Sequence, residues 1–159
     1  MTIKVGDKIP SVTLRQVTPE GPKEITTDAF FAGKKVALFA VPGAYTPTCH
    51  KQHMAGFVQN YEELKKKVDM VACTAVNDVF VLTSWAKDSK ADGKIQMLAD
   101  GSAEVAKKLG LEVDLSARGL GVRSRRYSML VQDGVVKSLN VEEGPGVDKS
   151  GAPAMCALA

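Results

Sequence analysis

The sequence predicts one α/β domain over residues 1–159, with a mixed central sheet flanked by helices. Three observations predict it. Short apolar runs of strand length alternate with stretches whose apolar residues recur every three or four positions. An Asp133-Gly134 pair separates two β-rich runs late in the chain, a hairpin signal that adds antiparallel strands to the set. A hydrophobic content of 45% in 159 residues suffices for a single core.

Taken in order, residues 1–35 form an opening arm, with a short strand around Ser11–Gln16 and a polar turn through Pro19-Glu20-Gly21-Pro22. Asp28 to Gly33 fits one helical turn stopped by glycine. Val36-Ala37-Leu38-Phe39-Ala40-Val41 reads as a buried strand, ended by Pro42-Gly43. Thr46-Pro47 then starts a helix, threonine as N-cap and proline at the first helical position. Beyond Cys49 the helix carries Met54, Phe57, Val58, Tyr61, Leu64 and Val68 as one apolar stripe.

Met70 to Val76 is a second buried strand. Asn77-Asp78 can cap a helix running through Phe80, Val81 and Trp85 to about Ser89. Ile95–Leu98 is a third short strand, and Ser102 to Leu109 a helix ended by Gly110. Leu111 to Arg125 has little periodicity and is expected to be mostly loop. The hairpin pairs Tyr127–Val131 with Val135–Leu139, and a glycine-rich linker from Glu143 to Gly151 leads to a last short helix. The sequence has no internal repeat.

Bulk properties exclude several function classes. The net charge is +3 and the basic residues are scattered, so neither nucleic acid nor an anionic membrane is an expected partner. No apolar run is long enough to span a bilayer, and Met1 to Asp7 lacks the pattern of a signal peptide. Cys49, Cys73 and Cys156 are odd in number, widely spaced and without a Cys-x-x-Cys pair. That argues for a reducing compartment, the cytoplasm, rather than a disulfide framework.

The chemistry gathers at Cys49. In the first turn of a helix, backbone N–H groups have no intrahelical partner and the dipole is positive. Both favour a thiolate, and helix N-termini or nearby cations can bring a cysteine from about 8.5 down to roughly 3.5–7.5. Thr46 is either an ordinary cap or a cap whose hydroxyl also bonds the sulfur or an oxygen beside it. Arg123, Arg125 and Arg126 are either a solvated turn or a source of positive charge for the sulfur. His53 stands four residues after Cys49. A metal would need further ligands at suitable spacing, and none is present. A Cys–His acyl-transfer dyad would need the imidazole to reach the sulfur. A packing or surface role fits His53 better, beside Met54 and Phe57. Cys73 lies within an apolar strand and reads as inert packing. Cys156 is either packed on the last helix or a second thiol that resolves an oxidised Cys49. The glycines form no dinucleotide or phosphate fingerprint, and no nucleotide cofactor is expected.

Pro42-Gly43-Ala44-Tyr45-Thr46-Pro47-Thr48-Cys49 resembles the active-site loop of the peroxiredoxins, in the form of the type II or peroxiredoxin-5 branch. Ile3 to Pro10 is similar to that branch's opening, Val76 to Val81 with Trp85 to its second helix start, and Arg126-Tyr127-Ser128-Met129 with Val131 to Gly134 to its arginine-bearing strand. The resemblance covers nearly the whole chain. It implies a thioredoxin-like fold and a thiol peroxidase without cofactor or metal. Its substrates would be hydrogen peroxide and small alkyl hydroperoxides. Cys49 would be the peroxidatic nucleophile and become a sulfenic acid. Pro42 would shield the loop, Thr46 would bond the peroxide oxygens, and Arg126 would activate the sulfur.

Family members with an intramolecular resolving cysteine carry it just before a Ser-Leu-Ala-Pro-like stretch. Here Lys149 precedes Ser150-Gly151-Ala152-Pro153, and Cys156 falls six residues past Ser150. The expectation is therefore a one-cysteine cycle, with glutathione, glutaredoxin or thioredoxin as reductant, and the resemblance to a branch that often forms dimers implies a homodimer. The alternative is a redox sensor that signals through oxidised Cys49. A disulfide reductase is disfavoured, because no second cysteine in the loop can release a mixed disulfide.

Overall fold

The computed structural model describes residues 2–144 and 146–159. Its centre is β3 (Lys35–Val41), whose residues from Val36 to Val41 are all buried. Strand side chains alternate between faces, and β3 feeds two cores. Ala37, Phe39 and Val41 join one, while Val36, Leu38 and Ala40 join the other. A strand buried on both faces must be apolar throughout, which is how this run reads in the sequence.

Around β3 runs a seven-stranded sheet of order β2-β1-β5-β4-β3-β8-β9. The other members are β1 (Thr13–Thr18), β2 (Gly21–Thr26), β4 (Met70–Ala75), β5 (Ile95–Ala99), β8 (Tyr127–Gln132) and β9 (Val135–Val141). β3, β4 and β5 are parallel, and the remaining pairings are antiparallel, so the sheet is mixed as predicted. The β8–β9 turn places Asp133 and Gly134 at φ 48° and 79°, the left-handed pair that an Asp-Gly turn supplies.

Helices cover both faces: α1 (Thr27–Phe31), α2 (Ala55–Gln59), α3 (Tyr61–Lys65), α4 (Val79–Asp88), α5 (Glu104–Leu109) and α6 (Ala152–Leu158). Asp78 caps α4, accepting from the N–H groups of Phe80 and Val81 at 2.9 Å each. Asp100 does the same for α5 from just past β5, accepting from Val105 and Ala106 at 3.0 Å each. Burial pushes the Asp100 carboxyl up, against the lowering effect of those bonds.

Three expectations are corrected. The polar arm after β1 is a strand, β2, because its backbone pairs with β1 over six positions from Thr13↔Thr26 to Thr18↔Gly21. Residues 111–125 are not mostly loop: β6 (Glu112–Asp114) and β7 (Val122–Ser124) pair antiparallel around a 3-10 turn, Ser116–Arg118. The long helix after Pro47 is interrupted. A π-helical turn, Cys49–Met54, precedes α2, and Asn60 separates α2 from α3. The apolar stripe survives the break, with Met54, Phe57, Leu64 and Val68 all buried. Between β9 and α6 the described residues form no helix or strand, and Pro145, in the predicted Gly144-Pro145-Gly146 turn, lies outside them.

Candidate active site

The carboxyl end of β3 opens into the loop 42–46, between the parallel β4 and the antiparallel β8. Four bonds fix it. Arg123 Nη1 donates to the Pro42 carbonyl at 3.2 Å, with Nε on the Leu120 carbonyl at 2.8 Å. The Ala44 N–H donates to Asn77 Oδ1 at 2.9 Å. Tyr45 has a left-handed backbone, φ 64°, and its hydroxyl reaches α4, donating to Asp88 Oδ2 at 2.6 Å and accepting from Ser84 Oγ at 2.9 Å. The Asp88 carboxylate holds the phenol proton, raising Tyr45 above its ordinary value. Thr46 Oγ1 donates to the Gly43 carbonyl at 2.8 Å. Glycine at position 43 leaves room for the guanidinium: a Cβ there would sit 2.8 Å from Arg123 Nη1 and 3.3 Å from Thr46 Cγ2.

The helix begins at Pro47, and Cys49 lies in its first turn, as the Thr46-Pro47 signal predicted. Thr46 differs from expectation in two respects: the helix start is met by its backbone carbonyl, which accepts from the His50 N–H at 2.9 Å, with no backbone N–H among the described residues donating to its hydroxyl. Its hydroxyl proton is committed to Gly43, so toward the site it offers an acceptor oxygen rather than a free proton. Cys49 has no exposed surface.

Arg126 is buried, at 7% exposure, and stands just before β8, which pairs with β3. Its Nη2 donates to Cys49 Sγ at 3.0 Å. Its Nη1 meets His53 Nδ1 at 3.1 Å, and His53 Nε2 meets the Ser150 carbonyl at 2.8 Å. A carbonyl only accepts, so Nε2 carries the proton and Nδ1 accepts from Arg126. Burial lowers His53 to about 4, the Arg126 charge adding to the effect and the Ser150 bond opposing it. The ring is neutral near pH 7 and able to accept. The π turn puts Cys49 and His53 on the same guanidinium, four residues apart in the chain. π-helical turns recur at functional sites.

The network extends outward. Glu142 Oε2 accepts from the N–H groups of Lys149 and Ser150, at 2.8 and 2.7 Å, and from Ser150 Oγ at 2.7 Å. Burial pushes the Glu142 carboxyl up, and these bonds outweigh it, leaving it below the usual range. The Glu142 N–H returns to the Arg126 carbonyl at 2.9 Å. Phe39 and Phe57 stack at 4.0 Å and flank the His53 ring at 4.9 and 5.5 Å, walling it from water.

Of the residues singled out in the sequence, Cys49 and Arg126 are in contact, Thr46 and Pro42 belong to the same loop, and Cys156 is half-buried on α6. Cys73 is buried on β4, and burial pushes its thiol well up. All three cysteines are free. His53 is neither mere packing nor surface, because both ring nitrogens are hydrogen-bonded. Nor can it form a dyad with Cys49 in this arrangement, since Nδ1 faces Arg126 and Nε2 faces Ser150. Sequence reasoning gave His53 a packing or surface role, left Arg123 within the arginine cluster, read Asn77 only as part of a helix cap, and missed Glu142. The four-residue spacing of Cys49 and His53 was the only local signal; the other contacts join distant segments.

A buried cysteine at a helix start, with a guanidinium on its sulfur and a rigid Pro-Gly loop in front, defines a thiol-redox site. The Redoxin family model matches residues 4–155. The chain is 48% identical to the chloroplastic peroxiredoxin-2E of Arabidopsis thaliana, over 97% of this chain and 68% of that protein. It superposes on reduced Prx3 of Vibrio vulnificus in complex with hydrogen peroxide with a TM-score of 0.94, at 44% identity over 98% of each chain. Against peroxiredoxin 5 of Alvinella pompejana the TM-score is 0.82, at 35% identity over 98% of this chain and 96% of the other. The chain belongs to the peroxiredoxins, in the type II or peroxiredoxin-5 branch, and is a thiol peroxidase with a thioredoxin-like fold.

Proposed function

We propose that this enzyme reduces hydrogen peroxide and small alkyl hydroperoxides through Cys49 in a one-cysteine cycle. The observation that carries the assignment of roles is the 3.0 Å bond from Arg126 Nη2 to Cys49 Sγ. The Cys49 thiolate attacks the terminal peroxide oxygen. An S–O bond forms, the O–O bond breaks, and the leaving group departs as hydroxide or alkoxide and takes up a proton. Sulfur is oxidised by two electrons to a sulfenic acid. As O–O stretches, charge moves from sulfur to the leaving oxygen, and a pre-positioned guanidinium stabilises both ends at no reorganisation cost. The Thr46 hydroxyl oxygen accepts from the peroxide O–H, its own proton being held by Gly43. Pro42 closes the loop side of the site.

A thiol donor then attacks the sulfenic sulfur, releasing water, and a second thiol regenerates Cys49 and leaves as a disulfide. Glutathione with glutaredoxin, or thioredoxin, supplies these thiols. Cys156 takes no part: it is seated on α6 against the core beside Cys49's helices, and its carbonyl is tied to Lys67 Nζ at 2.6 Å. Three free cysteines suit a reducing compartment such as the cytoplasm. The enzyme acts as a homodimer, a reading supported by Phe80, 73% exposed on the face of α4 that also carries Ser84 and Asp88 beneath Tyr45.

One equivalent of hydrogen peroxide, with no reductant, should add one oxygen to the intact mass, trapped at Cys49. Cys156→Ser should keep full turnover with glutathione and glutaredoxin. A Cys49–Cys156 disulfide would overturn the one-cysteine cycle, and an unchanged mass would overturn the peroxidatic role of Cys49.

A further inference from the structure

A cavity of about 530 Å³ opens onto residues that surround Cys49, much larger than hydrogen peroxide requires. A water's share of liquid volume is about 30 Å³, and pockets of roughly 300–1,000 Å³ usually hold organic ligands. Its inner end is Pro42, Thr46 and Arg126, the residues around the sulfur. Its side wall is apolar, from Val113, Leu115 and Leu120 of the β6–β7 hairpin, all only partly buried. Its rim carries Arg118, on the 3-10 turn, and Arg125, both exposed.

The charges at this rim are unequally matched. Among the described residues neither Arg118 nor Arg125 has an ion-pair partner, and neither side chain makes a hydrogen bond to protein. The two carboxylates nearby face other partners. Glu142 holds Lys149 and Ser150, and exposed Glu143 faces Lys149 Nζ at 3.6 Å. An apolar wall between a buried electrophile-reducing end and two unpaired guanidinium groups selects for an amphipathic anion.

We infer that the cavity recognises organic hydroperoxides that carry a carboxylate, the class formed by oxidation of fatty acids. The apolar body lies along Val113, Leu115 and Leu120, the carboxylate is held at Arg118 and Arg125, and the peroxide group points inward to Cys49. The chemistry is that proposed above: S–O forms, O–O breaks, and the product is the corresponding hydroxy acid. The inference rests on Cys49 as the peroxidatic residue.

The test is stopped-flow oxidation of the reduced enzyme without any thiol donor, read by Trp85 fluorescence and by intact mass. Hydrogen peroxide, cumene hydroperoxide and its para-carboxylated derivative are compared, so that the last two share an apolar body and differ in one charge. The carboxylate should be favoured about tenfold over the neutral compound at low salt, the lower end of what steering fields produce. The ratio should fall toward one at high salt and in the Arg118→Gln/Arg125→Gln double variant. Leu115→Ala should slow both cumene compounds relative to hydrogen peroxide. No preference for the carboxylate, or a preference that survives the double substitution, would overturn the inference while leaving Cys49's role intact. Failure of all three compounds to oxidise Cys49 would instead remove the reading beneath it.

Discussion

Arg126 and His53 share one hydrogen bond, 3.1 Å from Nη1 to Nδ1, and it exists only while the imidazole is neutral. The same guanidinium holds Cys49 at 3.0 Å through Nη2. The geometry of the sulfur's partner thus depends on a ring fixed from its far side by the Ser150 carbonyl and, through Ser150, by Glu142.

Arg126→Lys should lose most activity although it keeps the charge. A lysine offers one ammonium centre, which cannot span the sulfur and the imidazole as the planar fork does. Loss of one pre-positioned donor to developing charge typically costs about 10²–10³ in rate. Single-turnover oxidation of Cys49 by hydrogen peroxide measures it; a rate within a few fold of wild type would remove Arg126 from the mechanism.

Acid should destabilise the fold through His53. Its folded value is about 4, below an ordinary histidine's 6.5, so between those values the unfolded chain binds more protons. Stability is therefore lost as pH falls from about 6.5 to 4, by about 3 kcal/mol in full. Urea unfolding at pH 7.0 and 4.5 should show this loss, and His53→Gln should flatten the difference. An equal loss in the variant would assign the acid sensitivity elsewhere.

Gly43→Ala should damage the site without disturbing the core. The added methyl meets Arg123 Nη1 at 2.8 Å, so the guanidinium must leave the Pro42 carbonyl. Peroxide oxidation of Cys49 should slow about tenfold, with Tm lowered by only a few degrees. In a double-mutant cycle with Arg123→Ala the two changes should be strongly non-additive, since they remove one and the same contact; additive effects would contradict the clash.

Tyr45→Phe should free the loop. The left-handed backbone at Tyr45 is uncommon for a bulky residue and is held by Asp88 and Ser84. Hydrogen exchange should rise at residues 44–50 and stay unchanged in β4 and β5. Protection that is identical in the variant would show that Asn77 and Arg123 suffice to hold the loop.

Much of this was legible in the sequence where local rules decide. The apolar run of β3, the Pro42-Gly43 stop, the Thr46-Pro47 helix start and the Asp133-Gly134 hairpin all read directly. β2 did not, because Gly21-Pro22-Lys23-Glu24 has no apolar alternation; its pairing partner, not its side chains, makes it a strand. β6 and β7 are three residues each, too short to show a period. At the site, Cys49, Thr46 and Arg126 could be singled out, while His53, Arg123 and Glu142 could not be given partners. Their bonds join positions 73, 81 and 8 residues apart, to Arg126, Pro42 and Ser150. The first two lie beyond any local window, and the third closes an irregular stretch between β9 and α6 that has no periodicity to read.

The complete burial of Cys49 gives its two half-reactions different gatekeepers. A molecule of two heavy atoms needs only a brief side-chain displacement beside Arg126 and Thr46. A donor as large as a folded protein needs the sulfur carried outward, which means unwinding the π turn and releasing the loop from α4. The first passage is set by side-chain jitter and the second by backbone opening. With such a protein donor at saturation, the lifetime of the oxidised sulfur would be a clock wound by the enzyme's own backbone rather than by the concentration of its reductant.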